Sequence, residues 1–537
     1  MVAGLSTQAR SIETGGLGES PAPFSSSHAE GRRRFRGAWT RVRVALAPLV
    51  VLTAVLGWRF VQIEGLVLPP WVDSVHHTLA VRLLLEQGTL PATWGPYLPS
   101  VPFYYHFGFH LTAALFARLT GMTGLELGRA VLYVGQLWQV ALAVAVYLLA
   151  RRILRSREQA LAATLFIGFA SPMPAFYLSW GRYTLLAGIA LLAFGMAAAA
   201  RERWLAVGLL VAAVGVTHYY AFCLLLLFLG MLFVLTPGRA RRLRLAAFTT
   251  GGVLLTAPWL LHVFTWNRAM TRVQAPMTDS APFHAAPLAG LLGPTRNYVL
   301  LALAAAGLLS LVYRRRSGPM THPRAAMLAF AGWATALAAL TGPWQIGPFR
   351  PDHAAIVLFL PAALLASAVL WHVLPRAVAW AVVAALCIWG AGESRHVVRP
   401  DTVLARSADI EALRWIESWT AADATLMVDV APWMGLWRGT DGGWWATPLT
   451  GRRTVPPPVA YSWGPPELAA LVRQVGRRIE ELPRLPDPYY CAGIERLMEE
   501  TGADYYYTHT ARAADCPNVE VMYRGRDGIR IVALSLR

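Results

Sequence analysis

Asp73, His76 and His77 stand at i, i+3 and i+4 in DSVHHTLAVRLLLEQG, and His106 and His110 stand at i, i+4 in PFYYHFGFH. On a helix the first three share a face, where a carboxylate beside imidazoles is placed to take a proton from a hydroxyl. The second pair can reach one metal ion or one anionic group, although two histidines are short of a full ligand set, and packing with Tyr104 and Tyr105 at a membrane interface fits them as well. Asp73 has another reading. Pro69 and Pro70 precede a helix expected to begin at Asp73 or Ser74 and to end at Gly88, so Asp73 could be its N-cap. All five residues lie in residues 71–110, a polar stretch rich in Trp and Tyr directly after the first strongly apolar segment. Such residues beside a bilayer point to polar chemistry being carried out there.

Further along, Arg182 in SWGRY and Arg350 in GPFRPDH are single cations in short loops, where a guanidinium can grip a phosphate bidentately or snorkel to the membrane surface. His218, Asp352 and His353 fall in the same layer, and Asp352 with Arg350 also reads as a local ion pair of small value. Trp433, Trp437, Trp444 and Trp445 sit in APWMGLWRGTDGGWWATPLTGRRTVPPP. That segment looks too irregular for core, so it reads as a surface facing the apolar part of the chain, with tryptophans for stacking on sugar rings or for the headgroup level.

The elements that must position these groups follow from composition. The 537 residues are 56% hydrophobic and 15% charged with a mean hydropathy of +0.44, which excludes an ordinary soluble protein and indicates a polytopic membrane protein. The net charge of +18 comes entirely from arginine, since there is no lysine. Its clusters lie between apolar runs, as the positive-inside rule expects of cytoplasmic loops, so charge reports topology and not a nucleic-acid partner. Residues 1–38 read as a disordered basic cytoplasmic tail ending in Arg32, Arg33, Arg34 and Arg36. The first span is expected at 44–63 with Arg41 and Arg43 before it, which places the N-terminus in the cytoplasm and Asp73 outside, in a first exterior loop over 64–104.

Eleven further apolar segments follow, at 104–120, 128–150, 160–178, 183–200, 204–218, 219–236, 245–265, 298–313, 325–341, 354–371 and 377–392, for about 11 to 13 transmembrane helices within 39–392. The clusters at 151–157, 201–203, 239–244 and 314–316 alternate correctly as cytoplasmic loops if 104–120 is a short or re-entrant segment. The loops 171–183, 217–220, 266–297 and 341–353 then share the face of Asp73. From 393 to 537 the pattern changes to a small extracytoplasmic α/β domain. Cys491 and Cys516 both fall there and are a disulfide candidate, which requires an oxidising compartment.

A span, an exterior loop with an early acidic residue on a juxtamembrane helix, about ten more spans and an exterior α/β domain together resemble the GT-C superfamily of integral-membrane glycosyltransferases. The local match is DSVHHTLAVRLLLEQG with PFYYHFGFH, which is similar to the first-loop motif of the protein-mannosyltransferase-like and aminoarabinose-transferase-like branch. The resemblance implies that Asp73 is the general base, with His76 and His77 beside it, and that Arg350, with Arg182 and His218, holds the phosphate of a polyprenyl-phosphate sugar donor. Tyr105, His106, His110, Asp352 and His353 are then candidates for substrate or metal contact. A divalent metal is possible but not required. The implied activity is transfer to a hydroxyl of a glycan, lipid or protein acceptor at the outer face of the plasma membrane, in cell-envelope glycan, glycolipid or glycoprotein synthesis. Two features depart from the wider superfamily: Asp73 is followed by Ser74 instead of a second acid, and DGGWWATP is not the WWDYG motif of oligosaccharyltransferases. A glycolipid transporter or flippase, or a non-catalytic glycan-assembly protein, would use similar exterior groups; a transporter should show inverted repeats, and none is evident.

Overall fold

The structure, a computed structural model, describes residues 46–274, 288–313, 319–342, 346, 349–433, 436–458 and 465–535. The basic tail 1–38, Arg41 and Arg43, part of the loop 266–297 and the cluster Arg314 to Arg316 lie outside the described residues. Contacts divide the chain into Met1–Val50 and Val51–Arg537. Of the first unit only the opening of helix α1 (Leu46–Val61) is described, and every later element belongs to the second.

Helix α2 (Val72–Gln87) is followed by a hairpin of β1 (Thr93–Trp94) and β2 (Leu98–Pro102), then by α3 (Gly108–Thr120), α4 (Leu127–Ile153), α5 (Arg157–Leu165), α6 (Tyr183–Ala200), α7 (Trp204–Thr217), α8 (Tyr219–Leu235) and α9 (Arg239–Gln274). After α10 (Leu288–Leu292) come α11 (Thr295–Tyr313), α12 (His322–Ala339), α13 (Pro351–Val357), α14 (Phe359–Val373) and α15 (Arg376–Ser394). Each apolar segment of the sequence contains a helix. Among the described residues five runs are long and apolar enough to cross a membrane: Gly124–Ile153, Arg157–Tyr177, Tyr183–Ala200, Arg239–Trp266 and Arg376–Ser394. The pair α13 and α14, bent by 41°, makes a sixth, while α1, α7, α8 and Thr295–Leu311 are shorter. With 13 residues, α3 rises only about 20 Å and is too short to cross on its own.

The C-terminal part contains α16 (Ser407–Trp419), β3 (Thr425–Val428), a hairpin of β4 (Val430–Trp433) and β5 (Leu436–Gly439), α17 (Ala446–Thr450), β6 (Arg453–Val455), α18 (Pro466–Glu481), α19 (Tyr489–Thr501), β7 (Tyr505–Thr508), β8 (Val519–Arg524) and β9 (Arg530–Leu534). Its five-stranded sheet has the order β6-β3-β7-β9-β8, with β3 parallel to β6 and β7, and β9 antiparallel to β7 and β8. Composition changes near residue 392, but packing does not divide there. A single apolar cluster joins Leu68, Val72 and Val75 of the first loop, Val131 of α4, and Leu413, Met427, Trp445 and Tyr507 of the C-terminal part.

The tryptophan-rich segment corrects the sequence reading. It is core: Trp444 and Trp445 are fully buried, and Trp437 is buried with its indole N–H donating to Glu480 at 2.7 Å. Trp433 stands edge-on to Trp71 with ring centroids 6.3 Å apart. The segment lacks periodicity because short elements and glycine turns carry it, with the Gly443 N–H capped by Asp441 at 2.9 Å, so its burial is set by what it folds against. These rings fasten the C-terminal part to the first loop and are not free to stack on a sugar.

Cys491 and Cys516 are bonded, with Cα atoms 5.3 Å apart. Closing a loop of this size contributes about 3 kcal/mol through the unfolded chain. Non-reducing peptide mapping of membrane-purified protein should therefore recover the two cysteines in one linked peptide; recovery of both as alkylated thiols would contradict the bond.

Candidate active site

The N-terminus of α2 sets the position of Asp73. The N-cap is Trp71, with φ 69° and no side-chain cap, and Asp73 lies inside the first turn. The N-cap reading of Asp73 is thereby corrected. Positive φ on a bulky residue costs on the order of 1–3 kcal/mol. Contacts from the C-terminal part offset it: the Trp71 N–H donates to the Thr402 carbonyl at 2.7 Å, and the Arg438 guanidinium lies 4.7 Å over the Trp71 ring. One turn on, the Ser74 hydroxyl donates to the Pro70 carbonyl at 2.5 Å.

The Asp73 carboxylate is half-buried and accepts no hydrogen bond from any described residue. Burial raises its pKa to about 6, and the charge of Arg182 opposes that rise. An acid in this condition is a poised base, mostly ionised at neutrality yet more basic than an exposed carboxylate, with its lone pairs free for a substrate hydroxyl.

The histidines divide into two groups. His77 is buried, with Nε2 2.9 Å from the Gly181 carbonyl and Nδ1 3.0 Å from His110 Nε2. A carbonyl only accepts, so His77 donates through Nε2 and accepts at Nδ1 from His110. The pair bolts α2 to the loop before α6 and to α3, which leaves neither ring as Asp73's proton-accepting partner. The His76 ring is committed to the backbone of Pro458, and burial holds its pKa down to about 4. In contrast, His106 Nε2 and His218 Nδ1 have no hydrogen-bond partner among the described residues, and their rings lie 4.8 Å apart. Tyr105 bridges the groups, 4.1 Å from His106 and 6.0 Å from His77 by ring centroids. Among the described residues no three His, Cys, Asp or Glu side chains are grouped to hold a metal ion, and His110 Nε2 is engaged with His77.

The two cations differ in their partners. Arg350 is paired bidentately with Asp352, both bonds at 3.0 Å, and Asp352 also lies 4.0 Å from His353. Arg182, just before α6, makes no side-chain hydrogen bond or ion pair with a described residue and lies 5.3 Å over the Trp180 ring. Its field reaches Asp73, Tyr105, His218, Tyr219, Asp352 and His353. The loops at 71–77, 105–110, 181–183, 217–220 and 350–353 thus meet around one guanidinium.

Sequence reasoning passed over Gly181 and the strain at Trp71. Gly181 has φ +63°, and a Cβ on it would fall 2.6 Å from Ser74 Oγ and 3.3 Å from Asp73 Cβ. Only its neighbour Arg182 drew attention, because a lone glycine in a loop carries no signal until the loop is seen against α2. Gly181→Ala should destabilise the chain by about 1–3 kcal/mol, read as melting temperature; a wild-type melting temperature would show that the contact is soft.

No protein-family model matches the sequence, and no curated protein matches it. Among solved structures, the oligosaccharyltransferase of Archaeoglobus fulgidus in its apo form superposes with a TM-score of 0.55 at 12% identity, over 86% of this chain and 69% of that one. ArnT from Cupriavidus metallidurans, bound to undecaprenyl phosphate, superposes with a TM-score of 0.53 at 15% identity, over 93% and 98%. The chain has the GT-C glycosyltransferase fold. The mycobacterial arabinofuranosyltransferase AftD shares it too, with a TM-score of 0.55 at 14% identity, and this chain spans 40% of AftD's length. Within the GT-C fold, similarity at this level concerns the path of the chain and leaves the chemistry to be argued from the residues.

Proposed function

We propose that this chain is an inverting membrane glycosyltransferase that moves a sugar from a polyprenyl-phosphate donor to an acceptor hydroxyl at the extracytoplasmic face. The observation that carries the reading is the pairing of an unpartnered carboxylate, Asp73, with an unpartnered guanidinium, Arg182, at the meeting point of five loops. Asp73 removes the proton from the acceptor hydroxyl, the oxygen attacks the anomeric carbon, and the bond from that carbon to the phosphate oxygen breaks. The electron pair leaves with the polyprenyl phosphate, whose growing charge Arg182 stabilises. Arg350, already balanced by Asp352, has the lesser part. His106 and His218, neutral through burial, offer unpartnered ring nitrogens to sugar hydroxyls or phosphate.

Undecaprenyl phosphate in the Cupriavidus ArnT structure, and dolichol-phosphate in an AglB structure of Archaeoglobus fulgidus with a TM-score of 0.53, support a lipid-linked donor. The acceptor is a glycan, lipid or protein. Purified full-length protein in liposomes should consume a polyprenyl-phosphate hexose or pentose and label an envelope extract. Movement of the intact donor across the bilayer without its consumption would instead identify a flippase.

A further inference from the structure

At the end of the helical bundle away from Asp73, Arg203 just before α7 and Trp204, Leu205 and Ala206 in its first turn face Arg244 and Phe248 of α9 across a groove of ≈ 550 Å³. The level is set by Arg152, whose side chain donates to the Ala200 carbonyl at the last turn of α6, whereas the site lies past the other end of α7 at His218. Deeper in the bundle the two helices are pressed together. A Cβ on Gly208 would fall 2.9 Å from the Phe248 carbonyl, and one on Gly215 would fall 3.1 Å from the Thr256 side chain. The helices touch there and part towards Arg203 and Arg244, which shapes the groove as a wedge.

Its charge is unbalanced. Glu202 is committed to Arg241 at 3.1 Å, while the guanidinia of Arg203 and Arg244 make no hydrogen bond or ion pair with a described residue. Below them the surface is apolar and uncovered: Leu205 is 65% exposed, Leu209 57% and Phe248 36%.

We propose that this groove binds one anionic phospholipid, its phosphate between Arg203 and Arg244 and an acyl chain along Leu205, Leu209 and Phe248. Two free guanidinia match a phosphodiester, and the apolar floor beneath them matches a hydrocarbon chain and would repel a free anion's hydration shell. The groove is not the donor site. Between Arg203 and His218 helix α7 rises roughly 20 Å, so a headgroup held here is about that far from the His218 end where the Asp73 layer lies. The inference stands whether or not the chain transfers a sugar.

Native mass spectrometry of the full chain in mild detergent, with added phosphatidylglycerol or phosphatidylcholine, tests it. Wild type should keep one phosphatidylglycerol through activation that strips phosphatidylcholine. Arg203→Gln with Arg244→Gln should lower that retention on the order of 10-fold for each guanidinium, at an unchanged melting temperature. Arg151→Gln, an exposed arginine at the same end, should leave it alone. Equal retention of the two lipids, or wild-type retention in the double variant, would overturn the proposal. Displacement of the lipid by millimolar inorganic phosphate would show a simple anion site and overturn it as well.

Discussion

Asp73→Asn should lose sugar transfer by a factor of about 10² to 10⁴ while binding the donor nearly as well as wild type. The amide keeps the carboxylate's shape at a position that makes no cap and no hydrogen bond with a described residue, so nothing structural is removed. It cannot take a proton. The sign of the stability change separates this from misfolding. Burial raises the folded pKa from 3.8 to about 6, so the ionised carboxylate opposes folding, and the stability present below pH 4 is lost as pH rises through 6. At pH 7 the amide variant should therefore melt no lower than wild type. In wild type, kcat/KM should fall tenfold per unit below pH 6, as the base becomes protonated. Transfer by Asp73→Asn at the wild-type rate would remove Asp73 from the chemistry.

Arg182→Gln is the second large effect. It should weaken donor binding by roughly 10- to 100-fold, because a charge-assisted contact to phosphate contributes about 1.5–3 kcal/mol, and it should also lower kcat by slowing departure of the lipid phosphate. The same substitution removes the cation that holds Asp73's pKa down, so the acid limb of the rate profile must move above pH 6. A merely structural arginine would not shift that limb. Arg350→Gln should cost less, because its charge is already balanced by Asp352, and the order of the two effects is read by measuring donor affinity directly. A larger loss in Arg350→Gln would restore the assignment that the sequence suggested.

The contrast between the partners of Arg182 and Arg350 shows where one-dimensional reasoning stops. Both are single arginines in short loops, and RPD even advertised the Asp352 pair. Nothing in SWGRY reveals that its arginine will face five loops without a partner of its own. The histidines teach the same lesson: the spacing of His76 and His77 with Asp73 is real, yet their rings are taken by Pro458, Gly181 and His110, which lie 33 to several hundred residues away.

What the sequence determined by itself was whatever depends on local patterning. Apolar runs became helices because a bilayer-length stretch of hydrocarbon side chains satisfies its backbone only in that form. The stop of α2 at Gly88 follows from glycine's access to the left-handed cap, observed at φ 65°. The α/β pattern after residue 392 followed from changes in hydrophobic period. Tertiary structure alone decided which polar groups remain unpartnered. Hydrogen bonds and ion pairs are short-ranged and exclusive, so a side chain's availability depends on every segment brought within a few ångströms of it. The folding of the Trp444–Trp445 segment into the core, the strain at Trp71 and the bare charge of Arg182 are consequences of that crowding, and the proposed chemistry rests on the groups it leaves open.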